Sequence, residues 1–64
     1  MRLVDSLEVF RLIGQGLATG AIANQLMLST HTIDTHRENI KRKIGAKSAA
    51  ELNRQAILAV TELG

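Results

Sequence analysis

The chain has 64 residues, enough for one small domain with one modest hydrophobic core, and no linker or composition shift divides it, so we expect a single domain over residues 1–64. It contains no cysteine, which excludes disulfides, zinc-finger ligation and thiol catalysis, and its one aromatic residue, Phe10, leaves an aliphatic core. The formal net charge of +2 is too small to indicate a nucleic-acid partner by itself, so only its distribution along the chain is informative.

The first predicted helix begins near Asp5, because Asp5 and Glu8 have the spacing of a capping box. Apolar residues follow with helical rather than alternating spacing, namely Leu7, Val9, Phe10, Leu12 and Ile13. Gly14 and Gly16 lie at the predicted end, where glycine adopts a left-handed cap at little cost. The pattern therefore predicts an amphipathic helix that ends at these glycines.

The second predicted helix runs from about Thr19 to Leu26, and Leu28 and Ser29 form a tight turn after it. Its apolar face comprises Ile22, Ala23 and Leu26. Gly20 weakens this helix by ~1 kcal/mol relative to alanine. Burial against neighbouring helices must therefore supply most of its stability.

The third predicted helix begins at Ser29, whose hydroxyl can cap the first turn, and ends at Gly45. Its inner face carries Ile33, Ile40 and Ile44, flanked by His36 and Arg37. The opposite face carries His31, Thr35, Glu38 and Arg42, with Asp34 and Asn39 at its margins. A short helix, a tight turn and a longer polar helix predict a helix-turn-helix, which lays one helix in the DNA major groove.

Positive charge is concentrated near the end of this third helix. Residues 37–47 contain five basic residues and one acid, whereas the rest of the chain contains three basic residues and five acids. Such a local excess is typical of a surface that faces phosphates, and also of a solvated helical face. Lys41, Arg42 and Lys43 are candidates for phosphate contact, and they also suit the negative end of the helix dipole.

Two acids lie on the polar face of the third helix. Asp34 and Glu38 are one turn apart and can accept hydrogen bonds from N4 of cytosine, while Thr35 is short enough to allow close approach to base edges. Because carboxylates repel phosphates, acids surrounded by basic residues favour base readout. The alternative is that both acids only pair with basic side chains three or four residues away.

The fourth predicted helix begins at Ser48, which has capping-box spacing to Glu51, and reaches about Leu63. It carries two apolar stripes, one of Leu52, Ala56, Ala59 and Leu63 and the other of Asn53, Ile57 and Val60. Since the core needs one stripe, we predict that the second forms a two-fold dimer contact. The alternative is that a short terminal helix buries both stripes.

Taken together, these residues resemble the LuxR-type helix-turn-helix, also called the GerE or NarL/FixJ type, the DNA-binding domain of bacterial transcription regulators. The resemblance extends from Val9 to Ala56. Its strongest part is Thr32-Ile33-Asp34-Thr35-His36-Arg37, followed by Asn39-Ile40, Lys43-Ile44-Gly45, Lys47-Ser48 and Ala50-Glu51-Leu52.

The second helix departs from the family pattern. Ala18 and Ala21 occupy the positions of the usual Ser and Glu of a capping box, so Thr19 is expected to cap instead. Met27 occupies a turn position where glycine or asparagine would be easier if the backbone has a positive φ.

The resemblance implies an all-α, compact four-helix domain that binds double-stranded DNA, normally after a receiver or ligand-sensing domain. It implies base contacts at Asp34, Thr35 and Glu38. It also implies that Thr32, His36 and Lys43 contact the DNA backbone or orient the third helix. The fourth helix is expected to pair two copies on inverted half-sites.

Pattern and resemblance together define the candidate interfaces. Base contacts are assigned to His31, Asp34, Thr35 and Glu38. Backbone contacts are assigned to Ser29, Thr30, Thr32, His36, Arg37, Lys41, Arg42 and Lys43. The dimer interface is assigned to Asn53, Ile57 and Val60.

Other classes of function are not favoured. His31 and His36 do not share a helical face and have no third ligand nearby, so we expect no metal; His36 is expected to pack and to hydrogen-bond locally. No nucleophile lies beside a base, so we expect neither an enzyme nor a cofactor or small-molecule ligand. No apolar run has the length of a membrane span and no signal peptide is visible, so we expect a cytoplasmic protein without a membrane partner.

Two alternative functions remain. A helical protein-interaction or dimerisation module that does not bind DNA would explain Asp34, Glu38 and the low net charge. A module similar to region 4 of a sigma factor would bind DNA and would add RNA polymerase as a partner.

Overall fold

The computed structural model describes residues 4–63, with side chains through residue 62. Within that range it contains four helices and no strands: α1 (Ser6–Gly14), α2 (Thr19–Leu26), α3 (Thr30–Ile44) and α4 (Ala49–Leu63). The all-α fold class and the helix-turn-helix of α2 and α3 are therefore confirmed. Helix α1 packs most extensively against α4 and then against α3, so it is the central element of the packing.

The N-caps of α1 and α3 and the C-cap of α3 are those that the sequence predicts. The Asp5 carboxylate accepts a hydrogen bond from the Glu8 N–H at 2.9 Å, and the Ser29 hydroxyl accepts one from the Thr32 N–H at 3.1 Å. Gly45 ends α3 with a left-handed φ of 73°. Both ends of α3 are thus fixed by local chemistry.

Helix α4 is capped with a different partner from the one in a capping box. Ser48 Oγ accepts a hydrogen bond from the Glu51 N–H at 3.2 Å, as predicted. The Glu51 carboxylate, however, accepts from the Lys47 N–H at 3.3 Å rather than from the Ser48 N–H. The Glu51 carboxylate therefore binds the backbone of Lys47, the residue before Ser48, and orients the chain where it enters α4.

Helix α2 begins without a side-chain cap. Its N-cap is Ala18, and no side chain accepts a hydrogen bond there, so the prediction that Thr19 caps the helix is wrong. Thr19 is already the first helical residue, one position too late to cap. At the other end, Met27 has a φ of 58°, the left-handed conformation anticipated for this position. Burial of Ile22 and Ala23 against the other helices stabilises α2, which lacks a side-chain cap at its start and has an unfavourable backbone conformation at its end.

The core is aliphatic, as predicted, and consists of Val9, Leu12, Ile13, Ile22, Ala23, Ile33, Ile40, Leu52 and Ala56. Leu7, one of the helically spaced apolar residues of α1, is 63% exposed, and Ile44, which was assigned to the inner face of α3, is 42% exposed. Helix α1 has nine residues and α3 has fifteen, so α1 cannot cover the whole length of α3. The two side chains border a shallow groove beside Phe10 and Ile40 where this cover ends.

Gly14 is required by packing and not by a cap. The left-handed glycine at this end is Gly16, with a φ of 91°, whereas the cap residue after Gly14 is Gln15 with a φ of −80°. A Cβ at position 14 would collide with the carbonyl oxygen of Ala56 and with Cγ2 of Val60. The absence of a side chain therefore lets α4 lie directly against α1.

Candidate nucleic-acid interface

Helix α3 is held by one face and open on the other. Ile33 is fully buried and Ile40 is 4% exposed, so these two side chains anchor the helix in the core. The four residues assigned to base contact, His31, Asp34, Thr35 and Glu38, are all exposed. The structure thus brings all four together on the surface of one α-helix, an element that the major groove is wide enough to admit.

Thr35 has its hydroxyl proton committed to the helix. Its Oγ1 donates to the carbonyl oxygen of His31 at 3.1 Å, one turn earlier. The hydroxyl oxygen can then only accept from an outside group, and the methyl group remains available for apolar contact. In a major groove such a side chain suits a cytosine amino group or the methyl of thymine.

The two acids of α3 have different surroundings. Glu38 Oε1 lies 3.4 Å from Lys41 Nζ, an ion pair in which the Glu38 side chain is 68% exposed. Asp34 has no ion-pair partner among residues 4–62. The pairing expected under the alternative interpretation therefore exists at Glu38 and not at Asp34. An exposed pair of this kind is worth only ~0.2–0.5 kcal/mol, so it does not prevent Glu38 from meeting a base.

Most of the residues assigned to the DNA backbone lie near the two ends of α3. At the start, Ser29 and Thr32 are engaged with each other, since their hydroxyl oxygens are 2.9 Å apart, while Thr30 is exposed. At the end, Arg42 and Lys43 are exposed and form no ion pair within the described part of the chain. The hydroxyls of Ser29 and Thr32 are thus already used in capping α3, whereas Arg42 and Lys43 are available to contact phosphates.

His36 is partly buried on the margin of the inner face. Its Nδ1 atom is shielded from solvent and has no hydrogen-bond partner among the described residues, so the expected local hydrogen bond is not formed. His36 therefore packs as predicted, whereas the predicted hydrogen bond is wrong at Nδ1, which no donor or acceptor of the described residues reaches. A contact between His36 and a phosphate would have to come from Nε2.

Arg37 makes a contact that the sequence pattern does not reveal. Its Nη2 donates to Oδ1 of Asn53 on α4 at 3.2 Å. Sixteen residues separate the two, and no spacing rule within a single helix connects them. A residue assigned to DNA and a residue assigned to the dimer interface are therefore joined by one hydrogen bond.

The second apolar stripe of α4 is divided between two environments. Ile57 is 48% exposed, so the alternative that α4 buries both stripes does not hold at this residue. Val60 is partly buried and lies beside Gly14, which ties it to α1. Leu58, which the stripes left out, is also 48% exposed and adds to the apolar surface next to Ile57. The side chain of Leu63 lies outside the described residues.

Metal-ligating clusters and membrane-spanning helices can be assessed over the residues that the structure describes. No group of three or more His, Asp or Glu side chains there could hold a metal ion. Between residues 4 and 63, none of the helices combines the length and the apolar character needed to cross a bilayer.

The model of a protein family described as bacterial regulatory proteins, luxR family (GerE), matches residues 6–56. The chain belongs to this family. The match includes all of α1, α2 and α3 and the first half of α4. This member of the luxR family is therefore a DNA-binding domain of the kind found in transcription regulators, and the resemblance noted from its motifs is confirmed.

Curated relatives agree with this assignment. The chain is 42% identical over 50 residues to the uncharacterized response regulatory protein YgeK of Escherichia coli K12, covering 78% of this chain and 34% of that protein. It is 43% identical over 44 residues to the fimbriae Z protein of Salmonella typhimurium, covering 69% and 21%. It is 37% identical over 51 residues to the oxygen regulatory protein NreC of Staphylococcus aureus, covering 80% and 24%.

The chain thus spans only about a fifth to a third of the length of these relatives. No solved structure matches it significantly.

Proposed function

We propose that this chain binds double-stranded DNA sequence-specifically, as the effector domain of a bacterial transcription regulator, with α3 in the major groove. The observation that carries the proposal is the division of α3, in which Ile33 and Ile40 are buried while every residue assigned to base contact is exposed. Exposed cations in its last turn add attraction to phosphates. The bacterial chromosome lies in the cytoplasm, so this is where the domain would act.

We further propose that two copies pair through α4 on inverted half-sites. Ile57 and Leu58 supply exposed aliphatic surface there, and a two-fold contact would remove it from water. The response regulators among the relatives favour control by a signalling domain outside this chain.

A salt titration tests DNA binding directly. The wild-type chain is titrated with mixed-sequence duplex DNA by fluorescence anisotropy between about 50 and 200 mM salt. A DNA-binding domain should weaken steeply with salt, because each phosphate it neutralises releases counterions. A module that binds only protein should show little binding at any salt. Selection from a random-sequence pool then measures sequence preference, and an unenriched pool would contradict specific readout.

A further inference from the structure

Helices α3 and α4 contact each other less than any other packed pair of helices in the domain. Between described residues, the only side-chain hydrogen bond that joins two helices is the one from Arg37 Nη2 to Asn53 Oδ1, at 3.2 Å. Both residues lie at the surface, Arg37 partly buried and Asn53 exposed. This polar contact directs the Arg37 guanidinium towards α4.

The pair lines an open groove of about 390 Å³. Its other walls are Ile13, Ile57 and residues 16–19, which connect α1 to α2. The ion pair found among residues 4–62 joins Lys41 to Glu38, so Arg37 forms no ion pair with a carboxylate there. An amide oxygen holds the guanidinium without neutralising it, and Arg37 keeps its full positive charge at the edge of α3.

We propose that Asn53 is a positioning residue for DNA binding, which holds the Arg37 guanidinium so that its remaining N–H groups meet a DNA phosphate. This inference rests on the proposed function of the domain. A guanidinium has five N–H donors in a planar fork, and one hydrogen bond to Asn53 leaves two adjacent donors for a bidentate phosphate contact. Fixing the side chain before DNA arrives reduces the conformational entropy lost on binding.

The neutral amide is essential to this role. An aspartate at position 53 would hold Arg37 equally well but would cancel its charge and repel the phosphate. An aliphatic residue would leave the guanidinium free to move over many rotamers. Asparagine provides the acceptor without the charge.

A double-mutant cycle on the complete chain tests the inference. The anisotropy titration on duplex DNA is repeated with Arg37→Ala, Asn53→Leu and the double variant. Arg37→Ala should weaken binding about tenfold and lower the salt slope by ~0.9, the value for one phosphate. Asn53→Leu should weaken binding about threefold in the wild-type background and should have no further effect in the Arg37→Ala background. Asn53→Gln, which keeps an amide oxygen, should recover most of the affinity.

Gln55→Leu provides the matched control, because it makes a similar exchange at an exposed position of α4 and should bind as the wild type does. Circular dichroism and ultracentrifugation verify that each variant keeps its fold and its mass. Equal losses from Asn53→Leu in both backgrounds would show that Asn53 acts through the fold or the dimer, and would overturn the inference. Unchanged affinity of Asn53→Leu would overturn it as well. If the wild-type chain itself showed no salt-dependent binding, the proposed function would fail first, and the inference with it.

Discussion

Helices α3 and α4 have the same length, fifteen residues, and both bury one side in the same core, but their outer faces differ. The outer face of α3 exposes mainly polar side chains such as His31, Asp34 and Glu38, whereas α4 exposes the aliphatic side chains of Ile57 and Leu58 in addition to polar ones. Polar and charged groups retain their hydration until a polar partner replaces it, while exposed aliphatic groups gain most from contact with another protein. The contrast favours DNA as the partner of α3 and a protein surface as the partner of α4.

The inner faces of the two helices also differ. Helix α3 is anchored by the bulky β-branched side chains of Ile33 and Ile40, which are buried in the core. Helix α4 meets α1 where Gly14 faces the Ala56 backbone, so the two helices approach closely. A change of volume at this contact should therefore displace α4 more than α3.

The largest effect is expected from Gly14→Ala. The added methyl would overlap the carbonyl oxygen of Ala56, which belongs to the backbone and cannot move alone, so we expect a loss of about 3 kcal/mol in the free energy of unfolding. The control is Gly20→Ala in α2, because a Cβ there would meet nothing within 4 Å. This variant should raise the free energy of unfolding by up to ~1 kcal/mol. Urea denaturation followed by circular dichroism measures both changes. Equal stabilities of the two variants would contradict the close approach of α4.

A smaller effect, mainly on the sequence specificity of DNA binding, is expected from Asp34→Ala and from Glu38→Ala. A carboxylate in the groove repels phosphates and recovers that cost only against a donor such as N4 of cytosine. Each variant should bind mixed-sequence DNA slightly more tightly and lose ~1–3 kcal/mol of discrimination at one base pair. Asp34→Lys should shift the preference at that pair towards guanine. Selection of binding sites by the wild type and each variant measures this, and identical recovered motifs would mean that neither acid reads a base.

The sequence predicts local features of this domain better than contacts between its helices. The helix bounds, the N-caps of α1 and α3 and the exposed polar face of α3 follow from rules that act within a few residues, and they were predicted closely, whereas the predicted cap of α2 was wrong. Two features depend instead on how separate helices pack: the Arg37–Asn53 hydrogen bond and the close contact of Gly14 with α4. No spacing of residues within one helix encodes that geometry. The exposure of Ile44 was missed for the same reason, since it depends on where α1 stops.

Protein association through α4 should respond to Ile57→Glu. About half of the Ile57 side chain remains exposed, so its burial in a two-fold contact would contribute about 1 kcal/mol per subunit, which a charge would remove. We expect the wild type to pair at high concentration or on DNA, and the variant to stay monomeric by ultracentrifugation. Gln55→Glu, exposed on the same helix, adds the same charge and should leave the mass unchanged. A wild-type chain that is monomeric both on and off DNA would contradict the pairing.

The smallest effect is expected from Lys43→Ala, which removes one exposed charge from the last turn of α3. If Lys43 contacts a phosphate, binding should weaken about equally on all DNA sequences, and the salt slope should fall by ~1. If Lys43 only complements the helix dipole, the free energy of unfolding should fall by ~0.3–1 kcal/mol and the DNA affinity should stay the same. Arg54→Ala removes the same charge from an exposed position of α4 and should change the slope little. Since phosphate contacts carry no sequence information, a loss confined to one operator variant would instead identify Lys43 as a reader of bases.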